Sequence, residues 1–169
     1  LVFSSETPVE RFFGMEVLGH DPENVDLGRM NDNSAPLLMD HNTSDQIGKV
    51  ESARIENGKG RAVVRFSKSA RATEIWNDVI DQIRTSVSVG YRILEMKLEE
   101  TKDDIETYRA TKWSPFEVSI VSVAADPFGS GIGRAEDVDG DTITKIINFK
   151  KEKTMSDNKD TTPSVDTKS

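Results

Sequence analysis

Two histidines, His20 and His41, are the side chains in this sequence best suited to move a proton near neutral pH. The chain has no cysteine, which excludes a cysteine nucleophile, a thiolate zinc site and a disulfide framework. A serine hydroxyl is a weak nucleophile at neutral pH and needs a base, usually a histidine, within hydrogen-bond reach. The chemistry to look for is therefore a serine activated by one of the two histidines.

His41 is the better candidate for that base. A short apolar run, residues 37–39, stops just before it, which predicts a buried strand that delivers the imidazole to the mouth of a polar loop. Core packing behind such a strand holds a side chain in place. His20 follows Gly19 and precedes Asp21, in a stretch typical of a turn. An ordinary surface or capping role stays open for either histidine.

The stretch "RTSVSVGYRI", residues 84–93, offers the serine. Its apolar residues alternate with small or polar ones, which is the period of a half-buried strand. Ser86, Ser88 and Gly90 share the polar face, and the missing side chain at Gly90 would let a substrate backbone approach closely. The residues alone leave Ser86 open as the alternative to Ser88, and an ordinary solvated strand face would show the same pattern.

Glu117 is the candidate for a third group, which would orient the imidazole and stabilise its charged form. It directly precedes a β-branched run, residues 118–123, where structural carboxylates are also common. Taken from the residues alone, His41, Ser88 and Glu117 allow a serine hydrolase without requiring one.

The elements predicted around these residues are mostly strands. Residues 9–17 alternate as one strand that ends in a turn. Residues 49–66 form a hairpin about Asn57 and Gly58, the strongest short hairpin signal in the chain. Residues 86–113 are predicted to form a long hairpin with an acidic turn.

One helix is predicted within residues 67–83, where apolar residues recur with a helical period and Ser67 or Ser69 is the candidate N-cap. Without an alternating βαβ pattern, the chain is expected to fold as a mostly β or α+β domain over residues 1–149. Residues 150–169 hold few apolar side chains and are expected to be a disordered polar tail or linker.

The charge and hydropathy of the chain limit the classes of partner that it is expected to bind. A net charge of −8 argues against a general nucleic-acid or anionic-membrane binder and favours a basic or polypeptide partner. No apolar run approaches the roughly 18 residues that a membrane span needs, and the first residues lack the pattern of a signal peptide. We therefore expect an intracellular protein that is not secreted.

No cofactor or metal site is predicted. Asp137, Asp139 and Asp141 stand where a calcium loop has its first three ligands, but Thr142 and Asn148 occupy the positions that need glycine and glutamate. Two histidines without cysteine also leave little capacity for a metal-dependent hydrolase beyond carboxylates.

Three separated segments together resemble the prohead (procapsid maturation) proteases of tailed phages. They are "PLLMDHNTSDQIGKV", "IRTSVSVGYRI" and "WSPFEVSIVSVAADP". The family pattern is an apolar run ending in His-Asn or His-Asp, a Ser-x-Gly-aromatic strand, and a Glu-x-Ser strand that leads to a Pro-containing turn. The three segments occur here in the family's order, and the resemblance covers roughly residues 9–134.

The resemblance implies a serine endopeptidase with a small β-barrel, similar to herpesvirus assemblin, surrounded by a few helices. It carries the nucleophile to Ser88, the general base to His41 and the acidic third member to Glu117. His20 stays open as a rival for the third position, because the viral relatives with this barrel use a second histidine there.

The resemblance also implies the biological setting. The expected substrates are the major capsid protein with its scaffolding segment and the protease itself, inside the assembling prohead in the host cytoplasm, where the protein could be oligomeric. A different hypothesis is a non-catalytic capsid assembly or scaffolding module, such as the amino-terminal part of a protease–capsid fusion precursor.

Overall fold

A computed structural model describes residues 1–126 and 129–132, and these fold as one β-sheet with two short helices. The strands are β1 (Val2–Ser5), β2 (Val9–Arg11), β3 (Gly14–Leu18), β4 (Pro36–Met39), β5 (Asn42–Glu56), β6 (Lys59–Phe66), β7 (Ser86–Lys102) and β8 (Ile105–Val121). The helices are α1 (Gly28–Asn31) and α2 (Ala70–Ile80). The predicted mostly β or α+β class is confirmed.

Some of the sequence-based predictions concern residues that the structure does not describe. The tail predicted for residues 150–169 and the acidic stretch at Asp137, Asp139 and Asp141 lie outside the described residues. Pro127, the proline of the turn that follows the Glu-x-Ser strand in the family pattern, lies outside them as well.

The strand ladders form an open sheet in the order β1-β6-β5-β4-β8-β3-β2, with β7 paired to β8 off this path. Residues 129–132 bridge β1 and the start of β7. Val2 and Gly131 exchange two backbone hydrogen bonds of 2.9 Å, and the Ile132 N–H donates to the Thr85 carbonyl at 2.9 Å. Where the resemblance implies a small barrel, the described residues thus form an open sheet, and backbone hydrogen bonds of residues 131 and 132 join β1 to the residue before β7.

Strand β8 is the centre of the sheet. It pairs antiparallel with β7 along its whole length, which makes the long hairpin that the sequence predicts. The turn of this hairpin is Asp103 and Asp104, both with positive φ. The β-branched run that follows Glu117 is the last part of this same strand, and its residues 118–120 pair in parallel with residues 37–39 of β4.

The hairpin predicted about Asn57 and Gly58 forms as β5 and β6, and both turn residues have positive φ, as a tight two-residue turn requires. The prediction of one continuous strand over residues 9–17 is wrong, because β2 and β3 form a separate hairpin there. Gly14 has a φ of +134°, and a β-carbon on it would lie 2.3 Å from the Glu106 carbonyl oxygen. The alternating pattern runs through this turn and hides it.

Helix α2 lies within the predicted segment, and its N-cap is Ser69, whose hydroxyl accepts a hydrogen bond from the Ala72 N–H at 3.2 Å. Ala72, Ile75 and Val79 form its buried face. The helix ends earlier than predicted, since Gln82 has a φ of +61°. The side chain of Ile83, at the end of the predicted helical segment, is therefore exposed.

The core is built from side chains of the sheet together with those of α1 and α2. Its largest fully buried side chains are Trp113, Phe3, Met30, Leu37, Leu38, Ile47, Ile75 and Ile120. Val87 of β7 is fully buried, and Val89 and Tyr91 pack against the same cluster. No helix among the described residues is both long enough and apolar enough to cross a bilayer.

Candidate active site

Ser88, His41 and Glu117 form one chain of hydrogen bonds. Ser88 Oγ lies 2.9 Å from His41 Nε2, and Glu117 Oε1 lies 2.5 Å from His41 Nδ1. The Glu117 side chain is almost fully buried, whereas the imidazole is 43% exposed. His41 and Glu117 are 76 residues apart in the sequence, so it is the fold that brings the three side chains together.

The order of partners fixes the proton positions. An ionised carboxylate only accepts hydrogen bonds, so the His41 Nδ1–H donates to Glu117. Nε2 of the neutral ring is then the acceptor and takes the hydrogen bond of the Ser88 hydroxyl. This arrangement can remove a proton from the hydroxyl oxygen as that oxygen attacks an electrophile.

His41 lies in a tight turn between β4 and β5, not in the predicted polar loop. Asp40 and His41 are the two turn residues, with φ of +48° and +57°. Such values are uncommon for residues other than glycine and persist where surrounding contacts hold them. Here the Asp40 N–H donates to the Ile120 carbonyl and the His41 N–H donates to Ser119 Oγ, both at 3.0 Å.

The register between β7 and β8 determines the positions of the Ser88 and Glu117 side chains. Ser88 is opposite Ser119, and Gly90 is opposite Glu117, so these four residues share one face of the hairpin. Ser86, the alternative serine, is opposite Val121. It is the hydroxyl of Ser88 that lies against His41.

Gly90 makes room for Glu117. A β-carbon on Gly90 would lie 2.2 Å from Glu117 Oε1 and 2.8 Å from its carboxyl carbon. The space beside Gly90, expected from the sequence to admit a substrate backbone, is thus occupied by the carboxylate. A side chain at this position would push the carboxylate away from His41.

Ser119 is a residue of the site that the sequence analysis missed. It is fully buried, and its hydroxyl donates to Glu117 Oε2 at 2.8 Å while accepting from the His41 N–H. The hydroxyl therefore fixes both the carboxylate and the turn that carries the imidazole. The spacing of Glu117 and Ser119, two apart on a strand, is the signal that could have indicated a shared face.

His20, the rival for the third position, lies in a separate buried cluster. Its Nδ1–H donates to the Leu18 carbonyl at 2.8 Å, so its Nε2 accepts from the Ser4 hydroxyl, also at 2.8 Å. The group at His41 Nδ1 is Glu117. Burial lowers the pKa of His20 below its ordinary value, which keeps the ring neutral.

This depressed pKa predicts a pH dependence of stability. The unfolded chain binds a proton at His20 near pH 6.5 and the folded chain does so only at lower pH, so stability falls as the pH drops below about 6.5. Between pH 7 and 5.5 the proton that the unfolded chain binds at His20 can lower the free energy of unfolding by at most about 1 kcal/mol. Urea unfolding across this range should show a smaller loss in His20→Gln than in the unchanged chain. Equal losses would contradict the assignment.

A cavity of about 270 Å³ opens beside Ser88 and His41, between β1 and β7. Phe3, Val87 and Val89 contribute apolar wall, and a polar cluster of Arg11, Glu16 and Tyr91 lines another part. Burial and the Glu16 carboxylate raise the pKa of Tyr91 to about 12, so its hydroxyl keeps its proton. Within residues 1–126 and 129–132, no group of three or more His, Asp and Glu side chains is arranged to hold a metal ion.

Two similarities to known proteins bear on this site. The family described as caudovirus prohead serine protease matches residues 20–136, more than half of the chain. A protein named major capsid protein, from Halomonas phage phiHAP-1, is 52% identical over 145 residues. The match covers 83% of this chain but only 24% of that protein, so the chain spans about a quarter of its relative's length. No solved structure matches the chain.

Proposed function

The chain belongs to the caudovirus prohead serine protease family, and from this membership we propose that it is a serine endopeptidase that cleaves capsid scaffolding segments and itself during prohead maturation. The observation that carries the proposal is the hydrogen-bonded series of Ser88, His41 and Glu117. In this proposal Ser88 is the nucleophile, His41 the general base and Glu117 the group that orients the imidazole.

The proposed reaction passes through an acyl-enzyme. Ser88 Oγ attacks the scissile carbonyl carbon while its proton moves to His41 Nε2. The tetrahedral intermediate collapses when the carbon–nitrogen bond breaks and His41 returns the proton to the leaving amine. A water molecule then attacks the Ser88 ester, His41 takes its proton, and release of the acid restores the hydroxyl.

The role of Glu117 follows from its burial. Its carboxylate holds Nδ1 as the protonated nitrogen and stabilises the positive charge that His41 gains during the attack. A charge in a partly desolvated site interacts more strongly than it would in water. Ser119 keeps the carboxylate oriented, since it donates to the oxygen that His41 does not use.

The substrate part of the proposal draws on the capsid relative. The relative named major capsid protein is about four times as long as the part of it that this chain matches. This supports a precursor in which the protease and a capsid segment share one polypeptide. We propose that the protease acts on such a precursor within the assembling prohead in the host cytoplasm.

The experiment is to incubate the purified chain with the capsid precursor of its own phage and to sequence the new amino termini by mass spectrometry. The proposal expects a small number of defined cleavages in the precursor. A precursor whose mass stays unchanged over many hours, with the chain folded by circular dichroism, would contradict it.

The contact between Gly90 and Glu117 gives a further prediction. In Gly90→Ala the new methyl group overlaps the carboxylate, which must move by about an ångström and leave His41 Nδ1. A misplacement of this size costs on the order of 10²-fold in rate. We expect kcat to fall by about that factor and thermal stability to fall as well, because Glu117 is buried and its Cγ also lies 2.8 Å from the new methyl group. Unchanged kcat would show that Glu117 needs no such space.

The buried hydroxyl of Ser119 gives a prediction with a smaller expected loss of activity. Ser119→Ala removes the donor to Glu117 Oε2 and the acceptor for the His41 N–H. Losing such a pair of contacts costs about 1–3 kcal/mol, so we expect a decrease in kcat/KM of about tenfold or more. Ser119→Thr keeps the hydroxyl and should retain more activity than Ser119→Ala. Equal activities in the two variants would argue against the hydroxyl's role.

A non-catalytic role in capsid assembly is the second candidate, and the similarity to a major capsid protein favours it. The two functions separate in a phage that carries Ser88→Ala. If the domain is purely structural, this phage assembles mature capsids, whereas the protease hypothesis predicts arrest at an unprocessed prohead.

A further inference from the structure

We propose that the cavity beside Ser88 is the specificity pocket for the substrate residue before the scissile bond, and that it selects a glutamine side chain. This inference rests on the proposed endopeptidase function. It concerns which peptide bond the chain cuts, and the polar cluster of Arg11, Glu16 and Tyr91 carries it.

The cluster has a defined set of internal contacts. Glu16 Oε1 accepts from Arg11 Nε at 3.2 Å, from Arg11 Nη2 at 3.1 Å and from the Tyr91 hydroxyl. Arg11 Nη2 also donates to the Tyr91 oxygen at 2.8 Å. One carboxylate oxygen thus takes all three donors, and the tyrosine hydroxyl is used in both directions.

This arrangement leaves complementary groups unused. Within the described part of the chain, Glu16 Oε2 has no hydrogen-bond partner although the Glu16 side chain is only 7% exposed. Arg11 Nη1 likewise has no partner among these residues, and both side chains line the cavity. The cluster therefore offers a substrate side chain one acceptor, Glu16 Oε2, and two donors, the N–H groups of Arg11 Nη1.

A carboxamide matches this set. Its carbonyl oxygen can accept from Arg11 Nη1 while its NH₂ group donates to Glu16 Oε2. The ion pair of Arg11 and Glu16 has no net charge, so a charged side chain would be desolvated without a full counter-charge. An apolar side chain would cover Glu16 Oε2 and Arg11 Nη1 without pairing either of them, which is costly.

Lysine is the charged side chain that competes most directly with glutamine, because the remaining carboxylate of the cavity, Asp126, adds a negative charge. Its oxygens already accept from the Ser5 hydroxyl at 2.5 Å and from the Gly129 N–H at 2.7 Å. Asp126 is therefore used to hold the residues that bridge β1 and β7.

Two amino acids carry a carboxamide, asparagine and glutamine. The distance along β7 favours glutamine, which has the longer side chain. Tyr91 is three residues from Ser88, which is about 10 Å along a strand. Glutamine has one more methylene than asparagine, and its stem would pass the apolar wall at Val87 and Val89. We therefore expect glutamine to be preferred over asparagine.

The test uses fluorogenic peptide amides that differ only in the residue before the cleaved bond, with mixtures of residues at the flanking positions. Glutamine, its isostere glutamate, norleucine and lysine are compared by kcat/KM. We expect glutamine to exceed each of the others by about tenfold or more. Norleucine, glutamate or lysine cleaved as fast as glutamine would overturn the proposal.

A charge variant sharpens the test. Glu16→Gln leaves the charge of Arg11 unbalanced, so the preference should shift from the glutamine substrate toward the glutamate substrate. Glu10→Gln on the neighbouring strand β2 is the matched control, since Glu10 is exposed and does not line the cavity. The readout is a ratio within one variant, so it does not depend on the yield of folded protein. A glutamine-to-glutamate ratio in Glu16→Gln equal to that of the control would contradict the assignment.

A fluorophosphonate, which needs no particular side chain, separates this inference from the proposed function. Labelling of Ser88 together with no preference for glutamine means that only the pocket assignment fails. No labelling and no cleavage of any peptide means that the endopeptidase function itself fails.

Discussion

Replacing Ser88 with alanine is expected to lower kcat for peptide hydrolysis by about 10⁴-fold or more, to the level that substrate binding and oxyanion stabilisation alone can support. The physical reason is that no other hydroxyl is described within hydrogen-bond reach of His41 Nε2. Without Ser88 Oγ the imidazole has no group to activate, and no acyl-enzyme forms. The measurement is kcat/KM on a peptide that the unchanged chain cleaves.

Ser86→Ala is the matched control for this prediction. Ser86 is on the same strand, two residues away, and the resemblance rather than the physics of the strand separated it from Ser88. Ser86→Ala should keep activity within a few-fold. If Ser86→Ala loses activity and Ser88→Ala keeps it, the assignment of the nucleophile is wrong.

Replacing Glu117 with glutamine is expected to have the second largest effect, again about 10⁴-fold in kcat. The amide can present its NH₂ group to His41 Nδ1, which then becomes the acceptor nitrogen of the ring. Nε2 must then carry the proton, and it can no longer accept from the Ser88 hydroxyl. The ring stays in place but has the wrong tautomer for the reaction.

This variant is measured beside Glu117→Asp, which keeps the charge but shortens the side chain by one methylene. Glu117→Asp should retain more activity than Glu117→Gln, because a carboxylate still selects the productive tautomer. If Glu117→Gln loses less than tenfold, Glu117 is a structural carboxylate and the reaction does not depend on it.

The local elements could be predicted from the sequence because each has a local cause. The hairpin at Asn57 and Gly58 needs positive φ at both residues, and this pair adopts it easily. Helix α2 has both its capping serine, Ser69, and its buried face in one continuous segment. In each case the signal lies within a few residues of the structure it predicts.

The site could be predicted only in part. The alternation in β7 placed Ser86, Ser88 and Gly90 on one face, but the residues alone could not choose between the serines. That choice came from the resemblance, and the structure brings Ser88 against His41. The resemblance also left Glu117 and His20 as rivals for the third position, a question that depends on where two distant segments pack.

The features that were missed depend on contacts between strands. Ser119 joins the turn at His41 to the carboxylate of Glu117 only because β4 and β7 flank β8 in one particular register. Gly90 is needed because Glu117 lies directly opposite. A register between strands is set by the whole sheet, so the spacing along β8 can place Ser119 and Glu117 on one face but cannot reveal their contacts with His41 and Gly90.

The turn at His41 was missed for a related reason. Tight two-residue turns usually carry glycine or asparagine, and here Asp40 and His41 adopt positive φ instead. Contacts to Ile120 and Ser119 of β8 hold this conformation. The polar residues that follow were therefore predicted as a loop, although they begin strand β5.

The most direct test of the account is to treat the folded chain with a fluorophosphonate and to map the modified residue by mass spectrometry of its peptides. In this reaction the serine oxygen attacks phosphorus and fluoride leaves, so the label marks an activated hydroxyl. We predict one label, on Ser88, which is lost in His41→Ala and kept in Ser86→Ala. A label on another serine, or equal labelling of Ser88 without His41, would contradict the proposed active site.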